Sequence, residues 1–125
     1  MMNREEGLEM KKTIVFDFDG VIHSYKSGWQ GYDIISDEPV QGIREVIDSL
    51  RNLDYEVVIV STRSAYPAGK LAMLEWLTKY NIVVDKISDI KPPALVYIDD
   101  RAITFDGNTD GLVEKICNFK PWTSY

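Results

Sequence analysis

Apolar positions along the chain fall into blocks of two kinds. Thr13 to Phe16, Val57 to Val60 and Leu95 to Ile98 are short continuous runs, mostly β-branched, each stopped by polar residues. Runs of that length predict buried strands. Between them lie blocks with helical spacing. Ile43, Val46, Ile47, Leu50 and Leu53 recur at i, i+3, i+4, i+7 and i+10 behind Pro39, which predicts an amphipathic helix. A second helix is expected from Pro67 to Tyr80, with Leu71, Leu74 and Leu77 on one face and Asn81 as its stop. Ile82-Val83-Val84 is a short strand or the lead into one near Lys86-Ile87. Ile103-Thr104-Phe105 reads as an edge strand before the turn Asp106-Gly107-Asn108, and a last helix spans Asp110 to Cys117. Residues 20–38, with three glycines among aromatic and polar residues, read as an irregular loop or small hairpin. Strands apolar on both faces, alternating with amphipathic helices, imply an α/β fold whose parallel sheet is covered on both sides.

Three of the strands end in residues that carry chemistry: Asp17-Phe18-Asp19, Ser61-Thr62-Arg63 and Asp99-Asp100-Arg101. In open parallel sheets the ligand crevice lies beyond the C-terminal strand ends, so parallel strands bring all three clusters to one edge. The i, i+2 spacing of Asp17 and Asp19 sends both carboxylates to one face of an extended chain, and Gly20 lets the backbone turn at once. Each cluster has a plainer reading as well. Asp17 to Gly20 is also an ordinary polar turn, Ser61-Thr62 an ordinary turn pair, and Lys91 before Pro92-Pro93 a solvated loop lysine, with Lys86 competing for any active role. The adjacent acids Asp99 and Asp100 repel unless a cation or a base offsets them. With Asp17 they make a hard, all-oxygen donor set that suits Mg²⁺.

Composition narrows the chemistry. The 125 residues amount to one domain, long enough to bury about two thirds of its unfolded surface. A net charge of −6 argues against bulk binding of nucleic acid or an anionic membrane. One cysteine, Cys117, excludes an intrachain disulfide and a cysteine-built zinc site, and one histidine, His23, excludes a histidine-rich metal centre. Carboxylates, lysine, arginine and hydroxyls are left to do the work. No apolar run reaches signal-peptide or membrane-span length, so a soluble, cytoplasmic protein is expected. Met10-Lys11-Lys12-Thr13 looks like a protein start, so residues 1–12 are read as a flexible N-terminal extension and 13–125 as a single domain.

The order of these motifs resembles that of the haloacid dehalogenase-like (HAD) hydrolase superfamily, from about Thr13 to Gly107. Ile14-Val15-Phe16-Asp17-Phe18-Asp19-Gly20-Val21-Ile22 is similar to the family's first motif, Val57 to Ser61 to its second, and Tyr97-Ile98-Asp99-Asp100 to the double-aspartate form of its fourth. Ser61-Thr62-Arg63 together with Ile98 to Arg101 also looks like the phosphatase domains of polynucleotide 3′-phosphatases. The resemblance implies a three-layer Rossmann-like HAD core and a Mg²⁺-dependent phosphatase working through an aspartyl-phosphate. Asp17 is then the nucleophile and Asp19 the general acid and base. Asp17, the Asp19 carbonyl, Asp99 and Asp100 hold the metal. Ser61, Thr62, Arg63 and Lys91 bind phosphate, with Arg101 as a further contact.

About twenty residues separate Gly20 from the first helix, room for a flap and not for a cap domain. The flap's His23, Tyr25, Trp29 and Tyr32 either pack it onto the domain or stack on a substrate base or sugar. The expected partner is a phosphorylated substrate, a small molecule or a nucleic-acid end. Trp122 and Tyr125 pack on the core or on a second copy, which leaves a homo-oligomer open. Two other classes compete: a non-catalytic phosphate-binding or regulatory module on the same scaffold, and a phospho-accepting receiver-like domain. Retention of both Asp17 and Asp19 weighs against the first, and the late position of the adjacent acids against the second.

Overall fold

The computed structural model describes residues 12–123; the expected extension, but for Lys12, and Tyr125 lie outside them. The elements run β1 (Thr13–Asp17), α1 (Ile43–Asn52), β2 (Glu56–Val60), a 3-10 turn (Thr62–Ala65), α2 (Pro67–Lys79), β3 (Lys86–Ser88), β4 (Val96–Ile98) and α3 (Leu112–Cys117). The four strands form one all-parallel sheet in the order β3-β2-β1-β4.

Strand alternation sorts the apolar side chains. Ile14 and Phe16 of β1 and Val57 and Ile59 of β2 share one core with Ile47 of α1 and Met73, Trp76 and Leu77 of α2. Both long helices therefore cover the same face. Each ends in the same way. Asp54 and Asn81 adopt left-handed φ of 68° and 59°, a conformation that Asp and Asn tolerate best among residues with a Cβ. The next amide reaches back into the last turn, Tyr55 N to Leu50 O at 3.0 Å and Ile82 N to Leu77 O at 3.0 Å.

The sheet's second face departs from the three-layer expectation. Only residues 89–95 join β3 to β4, too few for the helix that a parallel crossover normally carries. Val15 and Val58 are buried, bordering shallow hollows lined by Lys91 and Tyr97 and by Pro92 and Pro93 respectively, and the Tyr97 hydroxyl donates to Pro92 O at 2.6 Å. β4 is an exposed edge strand, and α3 holds no buried residue. Residues 103–105 form no strand. Helix faces differ too. Leu71 and Leu74 are exposed and the buried arc of α2 is Gly69, Met73, Trp76 and Leu77, because the bulky Trp76 and Met73 fill the space against Phe18 and the sheet. Val46 and Leu53 of the α1 stripe are exposed. Among the described residues no helix is long and apolar enough to cross a membrane.

Candidate active site

The parallel register builds the site. Asp17 pairs with Val60, and Phe16 with Ile98, so Asp17, Ser61 and Asp99 all fall at the carboxyl edge of neighbouring strands. Carboxylate oxygens of Asp17, Asp99 and Asp100 lie within 4.8 Å of one another. Burial, then the charge of Asp99 and the closeness of Asp100, push the Asp17 carboxyl up to about 7, only partly offset by the Phe18 amide.

After Asp17 the chain folds back tightly. The Phe18 carbonyl accepts from the amides of Val21, Ile22 and His23 at 3.2, 2.9 and 3.0 Å, and its ring packs edge-on against Trp76. This turn sends Asp19 into surroundings opposite to those of Asp17. Arg63 donates to it through Nε (2.9 Å) and Nη2 (3.1 Å), and His23 Nδ1 lies 2.8 Å from its Oδ1. His23 Nε2 accepts the Asp37 amide at 3.2 Å, so the ring proton sits on Nδ1 and is donated to Asp19. Burial opposes ionisation of Asp19, yet the hydrogen bonds from His23 and Arg63 hold its carboxyl below the usual carboxylate range.

Asp17 and Asp19 line a cleft of about 300 Å³ with Tyr25, Trp29, Ser61, Thr62, Asp100 and Arg101. Lys91 borders a small adjoining hollow with Asp17 and Asp99. Lys86 instead lies beside Thr13, Glu56 and Val58, so of the two lysines it is Lys91 that shares a hollow with the carboxylates, its ammonium 4.9 Å from the centroid of the Tyr97 ring. A hollow of about 510 Å³ at the opposite sheet edge is larger. Its Arg51 and Asp85 pair with each other at 3.2 Å, and it gathers no convergent set of the residues above.

Arg63 is placed differently from the phosphate contact expected of it. It is buried, and all three guanidinium nitrogens are engaged: Nε and Nη2 by Asp19, and Nη1 by the carbonyls of Gly31, Tyr32 and Ile34 at 2.8, 2.9 and 3.1 Å. Its Cζ lies 4.6 Å from the centroid of the Trp29 ring. Ser61 Oγ accepts the Arg63 amide at 3.2 Å, which leaves its hydroxyl proton free to donate into the cleft. Thr62 and Arg101 are exposed at the rim. The flap, residues 20–40, is a looped segment pinned by backbone bonds from Ser24 to Glu38 and Val40 to Ile22, by Ser27 to Asp37 and by Trp76 Nε1 to Asp37 O at 2.9 Å. One participant had no signal in the sequence, Asp37, which orients His23; Trp122, expected on the core or on a second copy, reaches the Gly20 carbonyl through its indole.

Divalent-cation chemistry can be tested on these residues alone. Asp100 Oδ1 is buried without a hydrogen-bond partner, the three carboxylates offer only hard oxygen donors, and the charges of Asp99 and Asp100 add to burial in raising Asp17. A cation of the Mg²⁺ class satisfies all three conditions.

No family model matches the chain, and no curated protein matches it. Among solved structures, a chain of one described as the Pnkp1/Rnl/Hen1 RNA repair complex is similar, with 17% identity and a TM-score of 0.49. The match covers 99% of this chain and 37% of that one, so the chain spans little more than a third of its length.

Proposed function

We propose that the protein is a Mg²⁺-dependent phosphomonoesterase of the HAD type, acting through an aspartyl-phosphate on Asp17. The observation that carries this reading is the convergence of Asp17, Asp99 and Asp100 within 4.8 Å at the strand edge that also holds Ser61 and Lys91. Asp17, Asp99 and Asp100 would hold the cation, which lowers the repulsion between a carboxylate nucleophile and an anionic ester. An Asp17 oxygen bonds to phosphorus as the ester P–O bond breaks, and the leaving oxygen departs as an anion that takes its proton from solvent. The Ser61 hydroxyl and the Lys91 ammonium bind the phosphoryl oxygens. Water then attacks the acyl phosphate, giving its proton to Asp19 and regenerating the Asp17 carboxylate. Asp19, held ionised by Arg63 and His23, is ready for that second step. In the first step the same two partners keep it from giving the leaving oxygen a proton. Thr62 and Arg101, at the open rim, are placed for the non-reacting part of the substrate.

The test is phosphate release, with and without Mg²⁺, from aryl phosphates, mononucleotides, sugar phosphates and oligonucleotide 3′-phosphates, in wild type and Asp17→Asn. Mg²⁺-dependent turnover lost in the variant supports the reading. Turnover that survives Asp17→Asn overturns it. A stable phospho-Asp17 that does not turn over would favour a receiver-like role.

A further inference from the structure

Two side chains tie the flap to the Asp19 carboxylate: His23 at the flap's base, and Arg63, which alone of the two reaches residues 31–34. Arg63 is 1% exposed, and its guanidinium divides its donors between Asp19 and the flap. Nε and Nη2 grip both oxygens of Asp19, while Nη1 is shared by three flap carbonyls, those of Gly31, Tyr32 and Ile34. A planar guanidinium is rigid, so rotation that improves one set of bonds worsens the other. Its outer face meets the Trp29 ring, and that ring is 56% exposed and lines the cleft. The other end of Arg63 is fixed as well. Its carbonyl lies so close to Gly69 at the start of α2 that a Cβ there would come within 2.1 Å of it, and Tyr32 stacks on Tyr66 at 4.4 Å. The Arg63 backbone is thus packed against the start of α2, and its guanidinium spans Asp19 and the flap from that base.

We propose that Arg63 is a positioning residue that makes the seating of the flap and the orientation of the Asp19 carboxylate one mechanical unit, with Trp29 as the part of that unit that meets the substrate. Its catalytic consequence rests on the phosphatase reading above; the coupling itself does not. A leaving group that presses on Trp29 then acts on Asp19 through the guanidinium. Lysine cannot replace this, because one ammonium cannot span two carboxylate oxygens and three carbonyls.

The coupling is read without turnover from the Trp29 indole N–H signal in ¹⁵N NMR and from amide exchange at Ile34, whose N–H bonds Gly31 O within the flap. Asp19→Asn, a change outside the flap's Trp29–Ile34 segment, is expected to shift the Trp29 signal and speed Ile34 exchange, with the Ile47 amide in α1 unaffected. In an Arg63→Lys background the same substitution should no longer move Trp29. An Asp19→Asn protein with unchanged Trp29 and Ile34 overturns the proposal, as does a shift that persists in Arg63→Lys. The first comparison keeps the native arginine, so it decides even if Arg63→Lys does not fold. In turnover, Trp29→Leu is expected to lower kcat as well as raise KM; a pure KM effect means Trp29 is only a wall of the cleft and overturns its part in the unit. A wild type inactive on every phosphate ester would defeat the phosphatase reading while leaving the NMR result to decide the coupling.

Discussion

The indole Nε1 of Trp122 donates a 2.7 Å hydrogen bond to the carbonyl of Gly20, 102 positions earlier in the chain. Gly20 itself has φ +88°, and a Cβ on it would lie 2.2 Å from Asp100 Oδ2. The turn after β1, the acidic pair after β4 and the C-terminal tail therefore meet at one residue, and that residue has to be glycine.

Gly20→Ala is expected to push the Asp100 carboxylate out of the acidic cluster. The left-handed backbone alone costs about 1–2 kcal/mol for a residue with a Cβ, and the clash adds to it. Thermal melts should show a lower midpoint and a smaller rise on adding Mg²⁺. A variant that gains as much from Mg²⁺ as wild type would show that Asp100 does not belong to the cation site.

Trp122→Phe keeps an aromatic ring, smaller than the indole, and removes the donor. Loss of one hydrogen bond of this kind costs about 0.5–1.5 kcal/mol, visible in denaturant titration. An unchanged midpoint would show that the tail does not brace the Gly20 turn in solution.

The raised Asp17 sets the pH behaviour of the metal-free protein. Its carboxyl titrates at about 7 in the fold against 3.8 ordinarily, so between those values the folded state holds more protons than the unfolded one. Its contribution to stability is full below the unfolded value and is lost as pH rises through 7. Cation binding requires the ionised form. Mg²⁺ should therefore raise the melting temperature more at about pH 8 than at about pH 5, with affinity falling about tenfold per pH unit in the range below 7. Equal Mg²⁺ shifts at the two pH values would contradict the raised Asp17.

Leaving-group dependence should be steep. Asp19 is held ionised by Arg63 and His23, so aryl phosphates, whose leaving oxygen needs no proton, should turn over much faster than alkyl phosphates. Asp19→Asn should slow both sharply, since breakdown of the intermediate also needs the base. Equal rates for phenyl and alkyl esters in wild type would mean that Asp19 is protonated when substrate is bound.

Lys91→Ala is expected to lower kcat by about 10²–10³-fold, the usual loss for a group that stabilises developing charge, whereas Lys86→Ala should leave turnover near wild type. Steady-state kinetics of the two variants checks the assignment; the reverse ranking would move the active lysine to Lys86.

Much of this was open to a reader of the chain alone. The runs at 13–16, 57–60 and 95–98 read as strands, their polar ends carried the carboxylates and the serine, and parallel strands were expected to bring those ends to one edge. These are local facts, since a period, a run length and a polar stop each act within a few residues. What tertiary structure alone decided concerns direction and cover. A 3.6-residue period does not say which of two apolar arcs on α2 is buried, and Trp76 with Met73 displaced Leu71 and Leu74 because they fit against Phe18. Strand composition predicted two covered faces, but the short link 89–95 carries no helix, so β4 stays exposed. A long flexible side chain has no direction in sequence. Arg63 points inward to Asp19 and the flap because a carboxylate and three carbonyls surround a site where its guanidinium satisfies them together.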